Sequence, residues 1–439
     1  MAASTGGSSQ LAAESDMGDC HHRILDCASI SLTQETGSDQ MSASGMNVVH
    51  RLARKIVCGG TSVKALAAAV LSCGLLCACG GGVAGNSNTV QQAAAPVITT
   101  SAALNGAVIV SLASPTPGAT IYYTIDGSAP TPSSQVYEAP FLVTSNLTLK
   151  VIARGTGSAS SVASQTFNLN ISSGTLVWSD EFSNATGSNV QPDPKVWTYQ
   201  TGNSGFGNNE LETYCAWASN AAPCSAASPS VYVGTDGYLH IVAQQLSPGV
   251  YTSARLYTQG LFGFQYGRIE FRVQAPEAQG FWPAAWLMGN TEATVGWPAC
   301  GEMDVMERID AAGPPPGNPP AGTSDWNEGS IHGTGFTGTN LGTIYDFTGG
   351  ATASGWHTYG MIWSKDSVSY YVDNPSLPYV TYTSTSLNGL SGAVWPFDGG
   401  QSNFLILNLA VGGSWPGPPN AGTPFPSQML VDYVRIYTN

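Results

Sequence analysis

The sequence predicts an all-β protein: a small antiparallel β-sandwich followed by a much larger two-sheet antiparallel sandwich with one curved, grooved face. Three observations predict it. Runs of alternating or β-branched residues recur at short spacing after residue 96. Gly (52) and Pro (27) are abundant among the 439 residues, which suits many turns between short strands. No segment carries a convincing helical period. Hydrophobic residues make up 42%, enough for a real core, and the length suits two domains plus tails. Only 10% are charged, with a net charge of −14, so nucleic acid is excluded as a partner: phosphate binding needs clustered cations.

The chain divides in order. Residues 1–79 are an extension plus an export signal. Residues 1–45 are polar and aperiodic, and Met46 is read as the true start. His50, Arg51, Arg54, Lys55 and Lys64 form a basic stretch, followed by an apolar run from Ala65 to Leu76. That run has the length of a signal-peptide core and is too short to span a bilayer. It ends in Leu75-Leu76-Cys77-Ala78-Cys79, which resembles a bacterial lipobox with Cys79 as the lipidated residue; Cys77 departs from the usual small residue there. The expected location is therefore a bacterial outer-membrane or cell-surface lipoprotein, or a secreted protein. Any membrane contact runs through the lipid anchor alone. Residues 80–95 read as a flexible tether.

Residues 96–171 hold three strand-like runs: Ala107–Leu112, Thr120–Ile125 and Leu147–Ala153. Pro117-Gly118, Asp126-Gly127 and Pro130-Thr131-Pro132 supply turns. The stretch from Pro117 to Thr131 resembles the chitobiase-C-terminal-like, fibronectin-III-associated module of secreted carbohydrate enzymes. With no catalytic cluster in it, a spacer role is expected ahead of polysaccharide binding.

Residues 174–439 form the large domain. Within Tyr266–Val273, Ile269, Phe271 and Val273 should face one way and Arg268, Glu270 and Arg272 the other. His357–Trp363 and Val368–Val372 read as a hairpin. Phe404–Val411 reads as a buried strand, and Leu430–Tyr437 closes the chain. Cys215 and Cys224, nine residues apart, suit a local disulfide in an oxidising compartment, leaving Cys300 as a buried thiol.

The strongest signal is Gly301-Glu302-Met303-Asp304-Val305-Met306-Glu307. Acidic residues are disfavoured in an apolar strand, so three of them need a reason. Regular alternation puts positions 302, 304 and 306 on one face and sends Glu307 into the core. A one-residue bulge near Val305–Met306 brings Glu307 back to the face of Glu302. Crowded carboxylates share protons, so one Glu can stay anionic and attack while the other stays protonated and donates. Alone, the pattern also fits a solvated strand face or a metal site. Spacing does not decide between the roughly 5–5.5 Å of a retaining pair and the roughly 6.5–9.5 Å of an inverting one.

The cluster has company. Leu176–Phe182, Gly207–Glu212, Tyr251–Leu256, Tyr266–Glu270, Trp297–Glu307, Ile331-His332-Gly333, Leu407–Gly413 and Val431–Arg435 together resemble the family-16 glycoside hydrolases, particularly the laminarinase-type endo-β-1,3-glucanases. The resemblance implies a β-jelly-roll catalytic domain and double displacement with retention. Glu302 would be the nucleophile, Asp304 its helper and Glu307 the acid/base. It implies substrate contacts at Asn208, Arg255, Trp282, Trp297 and His332, the tryptophan faces stacking on sugar rings. It also implies a structural calcium at the backbone of Glu181 and Gly237 and the side chain of Asp432. No cofactor is expected for catalysis, since no His pair has metal-ligand spacing. The expected partner is a β-glucan polysaccharide, and the expected state a monomer. Same-fold alternatives are a galactan, agar or carrageenan hydrolase or a transglycosylase; a non-catalytic β-glucan-binding surface protein is the other. The Pro314–Pro320 loop departs from the family pattern and is expected to edge the cleft.

Overall fold

The computed structural model describes residues 91–310, 325–348 and 352–439. The export segment with Cys79, most of the 80–95 tether and the Pro314–Pro320 loop lie outside the described residues.

Strands form where the alternation placed them. In Gly267–Gln274, Ile269, Phe271 and Val273 are fully buried. On the opposite face Arg268 pairs with Glu270 and Arg272 with Asp432. Ser367–Val372 folds back along Trp356–Ser364 as the expected hairpin. Cys215 and Cys224 are joined, with Cα atoms 5.7 Å apart, and Cys300 is a buried free thiol.

The apolar run near the C-terminus becomes Asn403–Val411, buried along its whole length. Leu405, Leu407, Leu409 and Val411 point into the main core, while Phe404 and Ile406 join Ala284 and Trp286 in a separate patch on the other face. A strand covered on both faces has no polar alternation to show, which explains its sequence. In its sheet it is followed sideways by Phe281–Gly289, Glu302–Glu307, Trp326–His332 and Gly342–Asp346. The second sheet is centred on Ser427–Tyr437 and Gly267–Gln274. The two sheets bury one core, in which Met303, Ile331 and Leu407 meet the cluster of Phe271, Met361 and Val434. Each such side chain stabilises the fold by roughly 1.5–3 kcal/mol. The outer face of the first sheet is left to carry chemistry.

The N-terminal module also folds as two layers. Val97–Ala102, Val108–Ala113 and Phe141–Val143 make one; Thr120–Thr124 and Leu147–Arg154, with two neighbouring strands, make the other. Val110, Tyr123, Phe141 and Val151 belong to its own core. The module does not stand apart from the chain that follows it. Phe141 and Leu142 run parallel to Gly263 and Phe264, which makes the first layer a continuation of the sheet bearing Glu302. Sequence alternation shows that a strand exists but not which edge it joins, so this junction could not be read beforehand.

Candidate active site

The site is built on the strand Glu302–Glu307. Glycine at 301 is required on two counts. Its φ is +81°, and a Cβ there would lie 2.8 Å from Pro396 Cγ. Along the strand, Met303, Val305 and Met306 are all buried in the main core. Two consecutive residues on the same face break the alternation, and the pairing shows why. Against Phe281–Gly289, Asp304 pairs with Trp286 and Met306 with Ala285, which leaves Val305 as an extra residue. The same shift appears against Trp326–His332, between Asp304↔Ser330 and Glu307↔Glu328. This is the bulge that cooperation of the two glutamates demanded. It puts Glu302, Asp304 and Glu307 on the face opposite the core.

A bulge leaves backbone groups out of the ladder, and buried ones need partners. Asn327 provides them. Fully buried on the adjacent strand, it donates from Nδ2 to Val305 O (3.2 Å) and accepts at Oδ1 from Glu307 N–H (3.2 Å). Asn327→Leu is expected to cost about 2–4 kcal/mol, because two buried backbone groups lose their partner. Urea unfolding measures it. A loss below about 0.5 kcal/mol would show that the bulge holds itself.

Each glutamate has its own indole. Trp297 Nε1 donates to Glu302 Oε2 (2.6 Å) and Trp282 Nε1 donates to Glu307 Oε1 (2.8 Å). These bonds add to the stacking expected of the two rings. Trp297 is 52% exposed, and Trp282 packs edge-on against Trp415 with centroids 5.3 Å apart. Asp304 is buried and accepts at Oδ2 from Ser330 Oγ (2.6 Å) and from His332 Nε2 (3.1 Å). A carboxylate oxygen of Glu302, one of Asp304 and a ring nitrogen of His332 lie within 4.8 Å of one another.

The electrostatics divide the two glutamates. Burial pushes the Glu302 carboxyl up to about 7 and the Asp304 charge adds to this; His332, Trp297 and Arg255 oppose it. Burial also raises Glu307, to well above the usual carboxylate range. Two like charges, Asp304 and Glu328, then push the same way, against His332 and Trp282. The like charge of Glu328 favours the protonated form of Glu307 and the charge of Arg255 favours the anionic form of Glu302, which suits an acid at 307 and an anion at 302. Burial alone would lower His332, but the hydrogen bond and charge of Asp304, with Glu302 and Glu307, carry it up to about 10. An imidazole so placed amid carboxylates favours its cationic form.

Glu328 is a carboxylate missed in the sequence. It sits directly across from Glu307, and a Cβ at Gly342 would overlap its Oε1. Burial, then the Asp304 charge, push Glu328 up to about 7. The signal existed: positions 328, 330 and 332 share one face of a strand, so Glu328 and Ser330 could have been grouped with His332. Asn327 carried no such signal, because an Asn on the core face reads as an anomaly until the bulge is seen. Glu328→Gln removes a negative charge facing Glu307, so the Glu307 pKa should fall. Activity that needs protonated Glu307 then fails at lower pH. The alkaline limb of kcat/KM should move down by about half to one pH unit. An unmoved limb would separate Glu328 from the acid.

Arg255 pairs with Asn408 on the same sheet, and its guanidinium lies 4.8 Å from the Trp286 ring centroid and 5.3 Å from that of Phe206. Asn208 is exposed on a loop whose carbonyl accepts from Ser414 N–H (2.7 Å); that carbonyl and the Trp282 ring both lie beside Gly413. For the expected calcium positions, Asp180 pairs with Val434 and Leu239 with Val431, so Glu181 and Gly237 approach Asp432 from two strands. Arg272 takes Asp432 Oδ2 and Arg435 takes the Glu181 carboxylate. A cation there would rest on main-chain oxygens and the other Asp432 oxygen, a hard-oxygen set that fits calcium.

Comparison with known proteins places this geometry. Residues 99–166 match the model of the chitobiase/beta-hexosaminidase C-terminal domain and residues 219–434 that of the glycosyl hydrolases family 16. The chain is similar to a beta-glucanase of Rhodothermus marinus, 33% identical over 275 residues, which cover 60% of this chain and 84% of that protein. It is also 34% identical over 288 residues to glucan endo-1,3-beta-glucosidase A1 of Niallia circulans, where the match covers 60% of this chain but only 37% of the relative. The laminarinase catalytic domain of Thermotoga maritima superposes with a TM-score of 0.50 at 35% identity, over 61% of this chain and 99% of that one. With its all-β jelly-roll sandwich and this cluster of carboxylates, the chain belongs to family 16 of the glycosyl hydrolases.

Proposed function

We propose that the protein is a retaining endo-hydrolase of β-1,3-glucan, laminarin-like or of mixed linkage. The observation that carries this reading is the Val305 bulge. It sets Glu302, Asp304 and Glu307 on one face, with one indole N–H on each glutamate. The names of the similar glucanases supply the substrate class.

The chemistry follows from the two protonation states. The Glu302 carboxylate attacks the anomeric carbon while Glu307 gives its proton to the departing glycosidic oxygen. The covalent glycosyl-enzyme ester forms as the C–O bond breaks. Glu307, now anionic, takes a proton from water, whose oxygen displaces Glu302 and restores it. Asp304, held by Ser330 and His332, steadies the strand between the two groups. Two inversions give net retention.

Reducing-sugar release from laminarin, mixed-linkage glucan, agarose and carrageenan tests the reading. Laminarin or mixed-linkage glucan should be cleaved; cleavage of agarose or carrageenan alone would move the chain to another activity of the fold. Proton NMR of early products should show the β-anomer, and an initial α-anomer would refute double displacement.

Two further features belong to the proposal. Cys79 carries a lipid after export, so Cys79→Ala should shift the protein from the membrane fraction to the soluble one. A calcium at Glu181, Gly237 and Asp432 supports the second sheet, so chelation should lower Tm by a few degrees. An unchanged Tm would remove the ion from the account.

A further inference from the structure

The loop that presents Trp297 is poorly anchored by its own burial. Trp297 is 52% exposed and Val295 is 55% exposed, yet the indole must stay 2.6 Å from Glu302 Oε2. Something else must fix the loop, and hydrogen bonds show what does. Gln401 is buried and donates from Nε2 to Cys300 O (2.8 Å) and Pro396 O (3.1 Å), while its Oε1 accepts from Thr291 Oγ1 (2.5 Å). Ser402 accepts from Asn290 at its carbonyl (3.0 Å) and at its hydroxyl (2.9 Å). The turn at 399–402 therefore ties together both ends of the Asn290–Gly301 loop.

That turn is in turn gripped by the N-terminal module. Tyr123, 4% exposed, donates from its hydroxyl to Gly400 O (3.1 Å). Gln135 Nε2 donates to Gly399 O. The grip is not a loose surface contact, because the module is locked to the sheet beside it. Gly263 N–H donates to Pro140 O (2.9 Å), Leu142 and Ala107 lie in the main core, and Asn105 Nδ2 donates to Leu176 O (2.8 Å).

We propose that the module is a brace of the active site: Tyr123 and Gln135 are positioning residues that, through the Gly399–Ser402 turn, hold the loop that keeps the Trp297 N–H on Glu302. This rests on the reading of Glu302 as the attacking carboxylate. An N–H aimed at a carboxylate favours its anionic form, so loosening the loop makes Glu302 harder to ionise. The groups that also face Glu302 are Asp304 on its own strand, Cys300 before it, His332, Arg255 and Tyr370. The substitutions tested alter none of them.

The test is Tyr123→Phe with Gln135→Ala in the full chain, measured beside Trp297→Phe. Hydrogen exchange of the peptide spanning 290–301 should quicken at least about threefold, since its anchoring bonds open more often. The acidic limb of kcat/KM should rise by about half a pH unit, in the direction of Trp297→Phe and by less. The alkaline limb, which reports Glu307, should stay in place. Lower thermal stability with both the acidic limb and loop exchange unmoved would overturn the brace and leave the module a passive neighbour. Should the double variant fail to fold, Tyr123→Phe alone removes one hydroxyl and is read the same way. A wild-type enzyme that cleaves no glucan would defeat the functional reading, while loop exchange would still decide whether the module holds the loop.

Discussion

Glu302→Ala is expected to lower kcat on laminarin by about four to six orders of magnitude while leaving the fold intact. In the proposed mechanism this carboxylate forms the covalent intermediate, so no neighbour replaces it. Asp304 is buried and engaged by Ser330 and His332. Glu307 is held from the other side by Trp282, and burial with nearby like charges favours its protonated form. The truncation leaves a small space beneath the indole of Trp297, and a small anion such as azide can enter it. Added azide should restore part of the rate and yield a product of inverted configuration, because only one displacement remains. Substantial activity without azide would show that Glu302 does not attack. Circular dichroism and Tm of the variant check the fold; with a like charge removed from a crowded site, stability should not fall.

Glu307→Gln is expected to lower kcat on the polymer by about two to four orders of magnitude. The loss should shrink on an aryl glucoside with a good leaving group, since such a group departs without a proton. The pH profile gives the sign. In the wild type, activity rises as Glu302 loses its proton and falls as Glu307 loses its own. Burial raises both, and Glu307 also meets the like charge of Glu328, so the expected profile is a bell whose acidic limb belongs to Glu302 and whose alkaline limb belongs to Glu307. In Glu307→Gln the alkaline limb should vanish and the acidic limb remain. Persistence of both limbs would assign the acid elsewhere, with Glu328 the nearest candidate by position.

The site gives two like residues five positions apart different surroundings, which suit the opposite roles proposed for them. The Asp304 and His332 charges act on both; Arg255 adds an opposite charge at Glu302, whereas Glu328 adds a like charge at Glu307. Neither side chain differs chemically from the other. The pairing partners chosen by the bulge make the difference: one extra residue, Val305, decides which neighbours each glutamate meets.

Much of this was legible in the sequence, for physical reasons. Alternation in Tyr266–Val273 fixed which side chains enter the core, because a strand has only two faces. The apolar run Phe404–Val411 announced a strand covered on both sides. Three acids in an otherwise apolar strand marked the chemistry, and the failure of plain alternation at Glu307 required a bulge. His332 was found as part of a recognisable pattern; Glu328 and Ser330, on the same face, were passed over.

What only the tertiary structure decided depends on pairing between distant segments. A sequence states that Asn327 is polar on a core face, but not that the peptide groups beside Val305 lack partners until Asn327 reaches them. It places two tryptophans near the motif, but not that each aims its N–H at a different glutamate. It delimits a small module, but not that Phe141 and Leu142 join the sheet that carries Glu302. Local pattern determines which face a residue takes, because that follows from its own strand. Which neighbour fills the gap beside it is set by registers and edges between strands far apart in the chain, and no local pattern encodes those.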